Sequence, residues 1–548
     1  MCLTPRAENY AVAAREIVSP FLQDDLFTGA VLVAKEGEII FRQAFGLANR
    51  QWTIPNTPET RFRIGSITKQ FTAAAILRLT ERGKLSVYDR LGQHLPDAPD
   101  SWQNVTIHQL LTHTSGIPSY TDLPDFLSHI SLEERTPKEI IELTSGQALE
   151  FPPGDQFRYS NTGYILLGSV VESISGQGYA DFLEDEFFQP LGMVDSGYDH
   201  SWKIVERRAD GYTCIGGKWG HARFIAMSLP YAAGGLYSTV DDLYRWSQAL
   251  MKGDVIGPAA LQDMLRDHGQ GYGYGWFVGS VDGRRFVRHG GGINGFLSTL
   301  DLHPDDDLMV IALANLQASE VLTITKRLAQ ASLGLYQPRD ETTLDASKLD
   351  EYVGVFQLGQ RCFLEICLAK TGMLCAHLTG HQRLTLACSK PDVFFSRTHD
   401  VEVAFSRETG GEVSAVTLRE HGVSFAGRRV DKSVRRKVGE QQPGNGEHIS
   451  SDSTDLSQYV GCYRHARMHF EVTLCGDCLS VQATGQTKST ATFKSGRRFV
   501  LDEVQAEISF EHTEGDGVWG LTLRQAGIQL RAFKLFDVTA HEGWDYSH

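Results

Sequence analysis

The sequence predicts an α/β (α+β) chain: one large domain with an antiparallel sheet flanked by helices, then two small all-β antiparallel barrels. Three observations carry this expectation. Helix-like and strand-like segments intermix up to about residue 335, with a hairpin early and a strand meander late. Beyond residue 345 only short alternating strands with turn signals remain, and they occur twice. Asp350-Glu351-Tyr352-Val353-Gly354-Val355-Phe356 matches Ser457-Gln458-Tyr459-Val460-Gly461-Cys462-Tyr463, and Val416 to Val423 matches Leu521 to Ile528, a period of about 106 residues. Asp431 to Asp452, rich in Gln, Gly, Ser and charge, reads as the linker between the copies. The expected boundaries are 1–338 for the large domain, 345–431 and 454–540 for the barrels, and 432–453 for the linker.

Composition narrows the class. At 548 residues the chain is too long for one ordinary core. Its hydrophobic share of 41% and charged share of 22% are globular values. A net charge of −15 argues against nucleic acid or an anionic membrane as a partner. Met1 to Pro20 carries Arg6, Glu8, Arg15 and Glu16 with no apolar centre, unlike a secretory signal, and no run is long enough to span a bilayer. A cytoplasmic protein is the expectation. Of nine cysteines, seven lie between Cys362 and Cys478. Cys475-Gly476-Asp477-Cys478 has C-x-x-C spacing, but its flanks alternate like two strands around a Gly-Asp turn. These thiols are expected to pack as small hydrophobes.

Taken in order, residues 8–24 have the pattern of an amphipathic helix, and 27–34 with 39–45 form a hairpin around Lys35-Glu36-Gly37-Glu38. Arg63-Ile64-Gly65-Ser66-Ile67-Thr68-Lys69-Gln70 then opens an apolar helix through Phe71, Ala74, Ala75, Leu77 and Leu79, stopped at Gly83. Val105 to Thr112 reads as a short helix. His108 and His113 are five apart with no neighbouring Glu, so a zinc-protease pattern fails and both are expected to cap turns. Residues 124–148 are helical with loops. Pro152-Pro153-Gly154 then delivers Tyr159-Ser160-Asn161 to a helix over 162–174. Helices follow at 179–189, 240–251 and 258–266, the second led by the small-residue stretch Ala232 to Thr239. Strands are expected at 275–278, 284–288, 298–303 and 308–315, with His289-Gly290-Gly291-Gly292 inside the meander, and helix 319–333 closes the unit. Consecutive glycines on a strand let another backbone or a ligand approach.

Three short motifs fit one chemistry. Ser66 and Lys69 share a helix face at its N-terminus, where unpaired N–H groups favour negative charge. A serine becomes a nucleophile with a neighbour to take its proton and donors for the oxyanion. Lys69 and Tyr159 are candidates for the proton, with positive neighbours favouring a phenolate on Tyr159. Asn161 is a candidate for the substrate amide and His289 for orienting tyrosine or substrate. Gly291 would keep the strand open, so that the Gly292 N–H joins that of Ser66 in an oxyanion hole.

The order Ser66-x-x-Lys69, Tyr159-x-Asn161, His289-x-Gly291 resembles the serine β-lactamase and penicillin-binding-protein superfamily, in its class C-like, family S12 branch. Ile107 to Pro118, Gly154 to Gly163 and Ala232 to Leu243 support it, and the resemblance covers about residues 20–335. Many members carry Lys-Thr-Gly as third motif. The literal Lys370-Thr371-Gly372 lies on an expected turn of the first repeat and is rejected in favour of His289-x-Gly291. Two appended barrels resemble the D-aminopeptidase type. That resemblance implies a C-terminal loop at the site and an acidic group for a substrate ammonium, with Thr484–Thr490 and Thr513–Gly517 as candidate loops. It implies a peptidase or amidase acting on short or D-residue peptides without metal or cofactor. Esterase, β-lactamase or D,D-carboxypeptidase activity stays open, as does a slowly acylated binding protein. Expected partners are a small peptide, amide or ester; the barrels offer surface for a homodimer.

Overall fold

The computed structural model describes residues 5–433 and 456–540, apart from 124–125, 127–128, 216–217, 282, 360–361, 370, 380–382, 421–422, 466–467, 476–477, 484–488, 496, 502–505, 514–516, 526–527 and 536–537. Most of the expected linker, Lys370 and much of both candidate loops lie outside the described residues. The chain divides into two compact units, Met1–Gln337 and Pro338–His548.

The first unit is built on helices α1 (Pro5–Gln23), α2 (Thr68–Glu81), α3 (Asn161–Ser175), α4 (Val240–Lys252) and α5 (Val321–Ser332). Its main strands are β1 (Gly29–Lys35), β2 (Glu38–Phe45), β3 (Phe277–Val281), β4 (Arg284–Ile293), β5 (Phe296–His303) and β6 (Leu308–Ala314). They form one antiparallel sheet in the order β3-β4-β5-β6-β1-β2. The N-terminal hairpin and the late meander therefore meet at β1 and β6, from Gly29 opposite Ala314 to Lys35 opposite Leu308.

Period-2 alternation sends successive residues to opposite faces. Val31, Val33, Val310 and Ala312 pack on Ala14, Val18 and Phe21 of α1 and Ile324 and Leu328 of α5. Ala30, Leu32, Ile311 and Leu313 join the core on the other face with Phe71, Ala74 and Ala75 of α2. Each buried Val, Leu, Ile or Phe among them contributes roughly 1.5–3 kcal/mol. Helix α2 is buried nearly all round, including Lys69, Gln70 and Thr72. A helix in that position holds a side chain rigidly but must satisfy its polar groups from neighbours.

Several elements differ from the sequence reading. Strand β4 runs on through His289 to Ile293, five residues past its expected end. Its pairing with β5 continues there, Gly290 opposite Thr299 and Gly291 opposite Ser298, so the glycines remain in the ladder. Ala232–Thr239 forms a short helical turn and a strand, Leu236–Ser238, that pairs with Phe62–Arg63 just before Ser66. Helix α3 starts at Asn161, one residue before its expected start, and is capped by Ser160, whose Oγ accepts from the Gly163 N–H at 3.4 Å.

In the second unit, eight strands from Gly354–Gly359 to Val423–Val430 close by pairing first with last, Phe356 opposite Arg429. A ninth short strand, Val538–Ala540, pairs with Val423–Phe425. Eight further strands from Gly461–His465 to Ile528–Lys534 form a second closed barrel. Each barrel fills its interior with its own alternating side chains, Phe356, Leu364, Val403 and Leu418 in the first and Tyr463, Val472, Ile508 and Leu521 in the second.

Candidate active site

Ser66 lies on a 3₁₀ turn, Gly65–Ile67, that leads directly into α2. The turn needs a left-handed residue at Gly65, φ +49°. Lys69, in the first turn of α2, is 0% exposed. Its Nζ donates to Asn161 Oδ1 at 2.9 Å and the Ala233 carbonyl at 2.8 Å and lies 3.1 Å from Ser66 Oγ. Burial holds its pKa well below the ordinary lysine range. In its neutral form the amine is a proton acceptor, and the Ser66 hydroxyl lies 3.1 Å away.

Tyr159 is hydrogen-bonded to Ser66, and burial pushes its phenol above the ordinary tyrosine value. The Lys69 Nζ lies 4.7 Å from its ring centroid. Desolvation thus favours the neutral phenol over the phenolate expected from positive neighbours, because the same burial removes charge from Lys69.

His113 holds the turn that presents Tyr159. Its Nδ1 accepts from the Ser160 N–H at 3.1 Å, its carbonyl accepts from the Arg158 N–H at 2.8 Å, and its ring lies 4.2 Å from that of Tyr159. The residue was expected to cap a turn; the turn is the one beside the serine. Its motif, Leu-Leu-Thr-His-Thr-Ser-Gly, was legible, but its contact with Tyr159 was not.

Asn161 spends its amide on Lys69 and on Thr121, whose Oγ1 accepts from Nδ2 at 3.1 Å. His289, 2% exposed, has its ring centroid 6.2 Å from that of Tyr159. Its Nδ1 lies 2.6 Å from the Gly290 carbonyl, which can only accept, so Nδ1 carries the proton. Nε2 then accepts from the Tyr272 hydroxyl at 2.9 Å. Burial, with Lys69 nearby, pushes the imidazole pKa down to about 3. Tyr272 carried no motif signal in the sequence.

Gly291 shows why a glycine stands there: a Cβ would lie 1.9 Å from the Ile64 carbonyl and 2.4 Å from Ser298 Oγ. At Gly65 a Cβ would lie 2.9 Å from Gly292 N. The end of β4 is therefore laid against the Ser66 turn. Strand β3 pairs with β4 only as far as Arg288, so the His289–Ile293 edge facing away from β5 has no strand partner among the described residues. At the approach to Tyr159, Arg158 Nε lies 2.9 Å from Glu150, and its guanidinium 4.0 Å from Asp122. Burial raises the pKa of both carboxyl groups. Among the described residues no three His, Cys, Asp or Glu side chains are placed to hold a metal ion. Of the rival motif, Thr371 and Gly372 lie on a turn of the first barrel.

Comparison with known proteins assigns the chain to a family. Residues 14–335 match the family described as Beta-lactamase. Penicillin-binding protein 4* of Bacillus subtilis (strain 168) is 29% identical over 416 residues, covering 69% of this chain and 90% of that protein. The crystal structure of a penicillin binding protein from Bacillus halodurans is 33% identical with a TM-score of 0.53, covering 59% of this chain and all of that one. An octameric penicillin-binding protein homologue from Pyrococcus abyssi is 25% identical with a TM-score of 0.55, covering 76% and 99%. With the family matched over more than half its length, the chain belongs to the β-lactamase family of serine hydrolases.

Proposed function

We propose that the protein works through an acyl-enzyme on Ser66 and acts as a peptidase or amidase on short peptides or amides, D-residues included. The observation that supports this most is the fully buried Lys69 amine, 3.1 Å from Ser66 Oγ and fixed by Asn161 and Ala233. In this reading Lys69 takes the Ser66 proton as Oγ attacks the substrate carbonyl. The main-chain N–H groups of Ser66 and Gly292 face the developing oxyanion. Tyr159, neutral and hydrogen-bonded to Ser66, gives its proton to the leaving nitrogen. Water then attacks the acyl-enzyme and the transfers run in reverse. His289, neutral and tied to Tyr272, orients substrate along the β4 edge without exchanging protons.

The finer assignment, an aminopeptidase of the D-aminopeptidase type, is supported by charge at the entrance. Asp122 and Glu150 lie around a single guanidinium, Arg158, so the cluster carries one net negative charge where both carboxyls are ionised. A substrate ammonium would balance it. A second reading, acylation by β-lactams, is favoured by the relatives whose names say penicillin-binding.

One panel separates these readings: D- and L-alanine p-nitroanilides, the same compounds with blocked amines, a p-nitrophenyl ester and nitrocefin. A preference for free-amine anilides is expected. Indifference to the amine with fast ester or nitrocefin turnover would overturn the aminopeptidase assignment while keeping Ser66 as nucleophile.

A further inference from the structure

Strand register in the second unit opposes cysteines in a way that spacing along the chain hides. In the first barrel, Cys362–Leu368 pairs with Leu374–Leu378, and Cys367 stands directly opposite Cys375. In the second barrel the equivalent hairpin, Met468–Cys475 with Cys478–Ala483, sets Cys475 opposite Cys478. The other strand cysteines face different residues: Cys362 faces Gly359, Cys388 faces Phe394, Cys462 faces Glu471 and Cys214 faces Trp219.

The first pair lies on the outer face. The barrel core takes Cys362, Leu364 and Ile366 from one strand and Leu374, Ala376 and Leu378 from the other. Alternation therefore turns Cys367 and Cys375 outward. On that same face Glu365 and His377, the next directly opposed pair, approach to 3.8 Å, so facing side chains on this ladder meet. The Ala369 N–H donates to the Met373 carbonyl at 2.8 Å and the Thr379 N–H to the Phe363 carbonyl at 2.9 Å. Counting from either end makes Cys367–Cys375 a hydrogen-bonded pair, for which Cα atoms are about 5.5 Å apart. That distance falls within the ~4.4–6.8 Å that a disulfide spans. Directly opposed Cβ atoms stand ~4.5–5.5 Å apart, beyond the ~3.5–4.5 Å of a relaxed bond. A bond closed here is strained, and strained disulfides are readily reduced. Cys367 is half-exposed and Cys375 is buried, which fixes the order of attack.

We propose that Cys367 and Cys375 form a reversible dithiol–disulfide site on the first barrel, oxidised by a small-molecule disulfide. The Cys367 thiol loses its proton, and the thiolate attacks one sulfur of the oxidant. The oxidant's S–S bond breaks and one thiolate leaves, with the other half retained as a mixed disulfide. Cys375, deprotonated in turn, attacks Cys367 Sγ and expels the second thiolate. Two protein thiols become one disulfide, the oxidant becomes two thiols, and the two protons end on them. The bridged strands are already paired and the loop between them is short, so closure adds less stability than a long-range bridge. The site therefore serves exchange rather than scaffolding, and it is independent of the hydrolase reading.

The test uses the native full-length protein held with glutathione disulfide, quenched with N-ethylmaleimide, digested and read by mass spectrometry. Cys367 and Cys375 are expected to be recovered joined and unalkylated, with dithiothreitol restoring both. In Cys375→Ser, glutathione should remain on Cys367; in Cys367→Ser, Cys375 should carry no adduct. Recovery of Cys367 and Cys375 as separate alkylated thiols would overturn the proposal. So would glutathione left on Cys367 of the unsubstituted protein. Both readings are made on the unsubstituted protein, so they stand even if a variant misfolds.

Discussion

At the scale of residues, burial without charge decides the chemistry. Lys69 is bonded to a hydroxyl, an amide and a carbonyl rather than to a carboxylate, and burial lowers its pKa well below the ordinary lysine value. Ser66→Ala should leave a folded protein with turnover reduced on the order of 10⁶-fold, checked by steady-state rates beside a melting curve; retained turnover would remove Ser66 from the mechanism. Tyr159→Phe keeps the ring against His113 and removes the proton. Its kcat should fall about 10²–10⁴-fold with KM little changed, and an unchanged kcat would exclude the phenol. His289 bears on stability as well. Between the unfolded value near 6.5 and the folded value of about 3, the unfolded chain binds a proton there that the folded chain does not. Acidification through that window draws the equilibrium toward unfolding, by up to about 1.4 kcal/mol per pH unit. His289→Gln should therefore flatten the acid limb of a melting-temperature profile, and an unaltered limb would assign the acid loss to other groups.

At the scale of elements, the site depends on how closely β4 can approach the Ser66 turn. With Ile64 O only 1.9 Å from a Cβ at Gly291, Gly291→Ala must push β4 away from that turn. Activity should drop far more than the melting temperature, because the displaced Gly292 N–H would leave the proposed oxyanion position while the rest of the sheet keeps its register. A fully active Gly291→Ala protein would show that the β4 backbone is not part of the oxyanion site. Beyond Arg288 this edge of β4 has no strand partner among the described residues, which is the edge an extended substrate would use in the proposed reaction.

At the scale of the whole molecule, each unit has its own core, and the second is tied internally by two devices. The ninth strand of the first barrel's sheet, Val538–Ala540, follows the second barrel in the chain. Arg464 of the second barrel pairs with Glu420 of the first, their side chains 4% and 6% exposed. Arg464→Ala would bury the Glu420 charge without this partner, a loss of about 3–5 kcal/mol for buried pairs of this kind. Calorimetry of the full chain should show the transition of the second unit lowered and that of the first unmoved. An unchanged second transition would mean that the barrels do not depend on this pair.

The sequence by itself determined the elements and nominated the candidate residues of the site. Period-2 runs, the Gly83 stop and the repeated Tyr-Val-Gly strands are local signals, so the sheet's strands and both barrels were legible. Ser66, Lys69, Tyr159, Asn161 and His289 could be named because each lies in a short motif whose residue types fit one reaction. Only the tertiary structure decided what these groups are in chemical terms. The lowered pKa of Lys69, the raised pKa of the Tyr159 phenol, the Tyr272 hydroxyl on His289 and the His113 ring on Tyr159 all arise between segments far apart in the chain. The same holds for the facing of Cys367 and Cys375, which register sets and spacing does not. Protonation follows burial and neighbours, and both are properties of the packed chain rather than of any stretch of it.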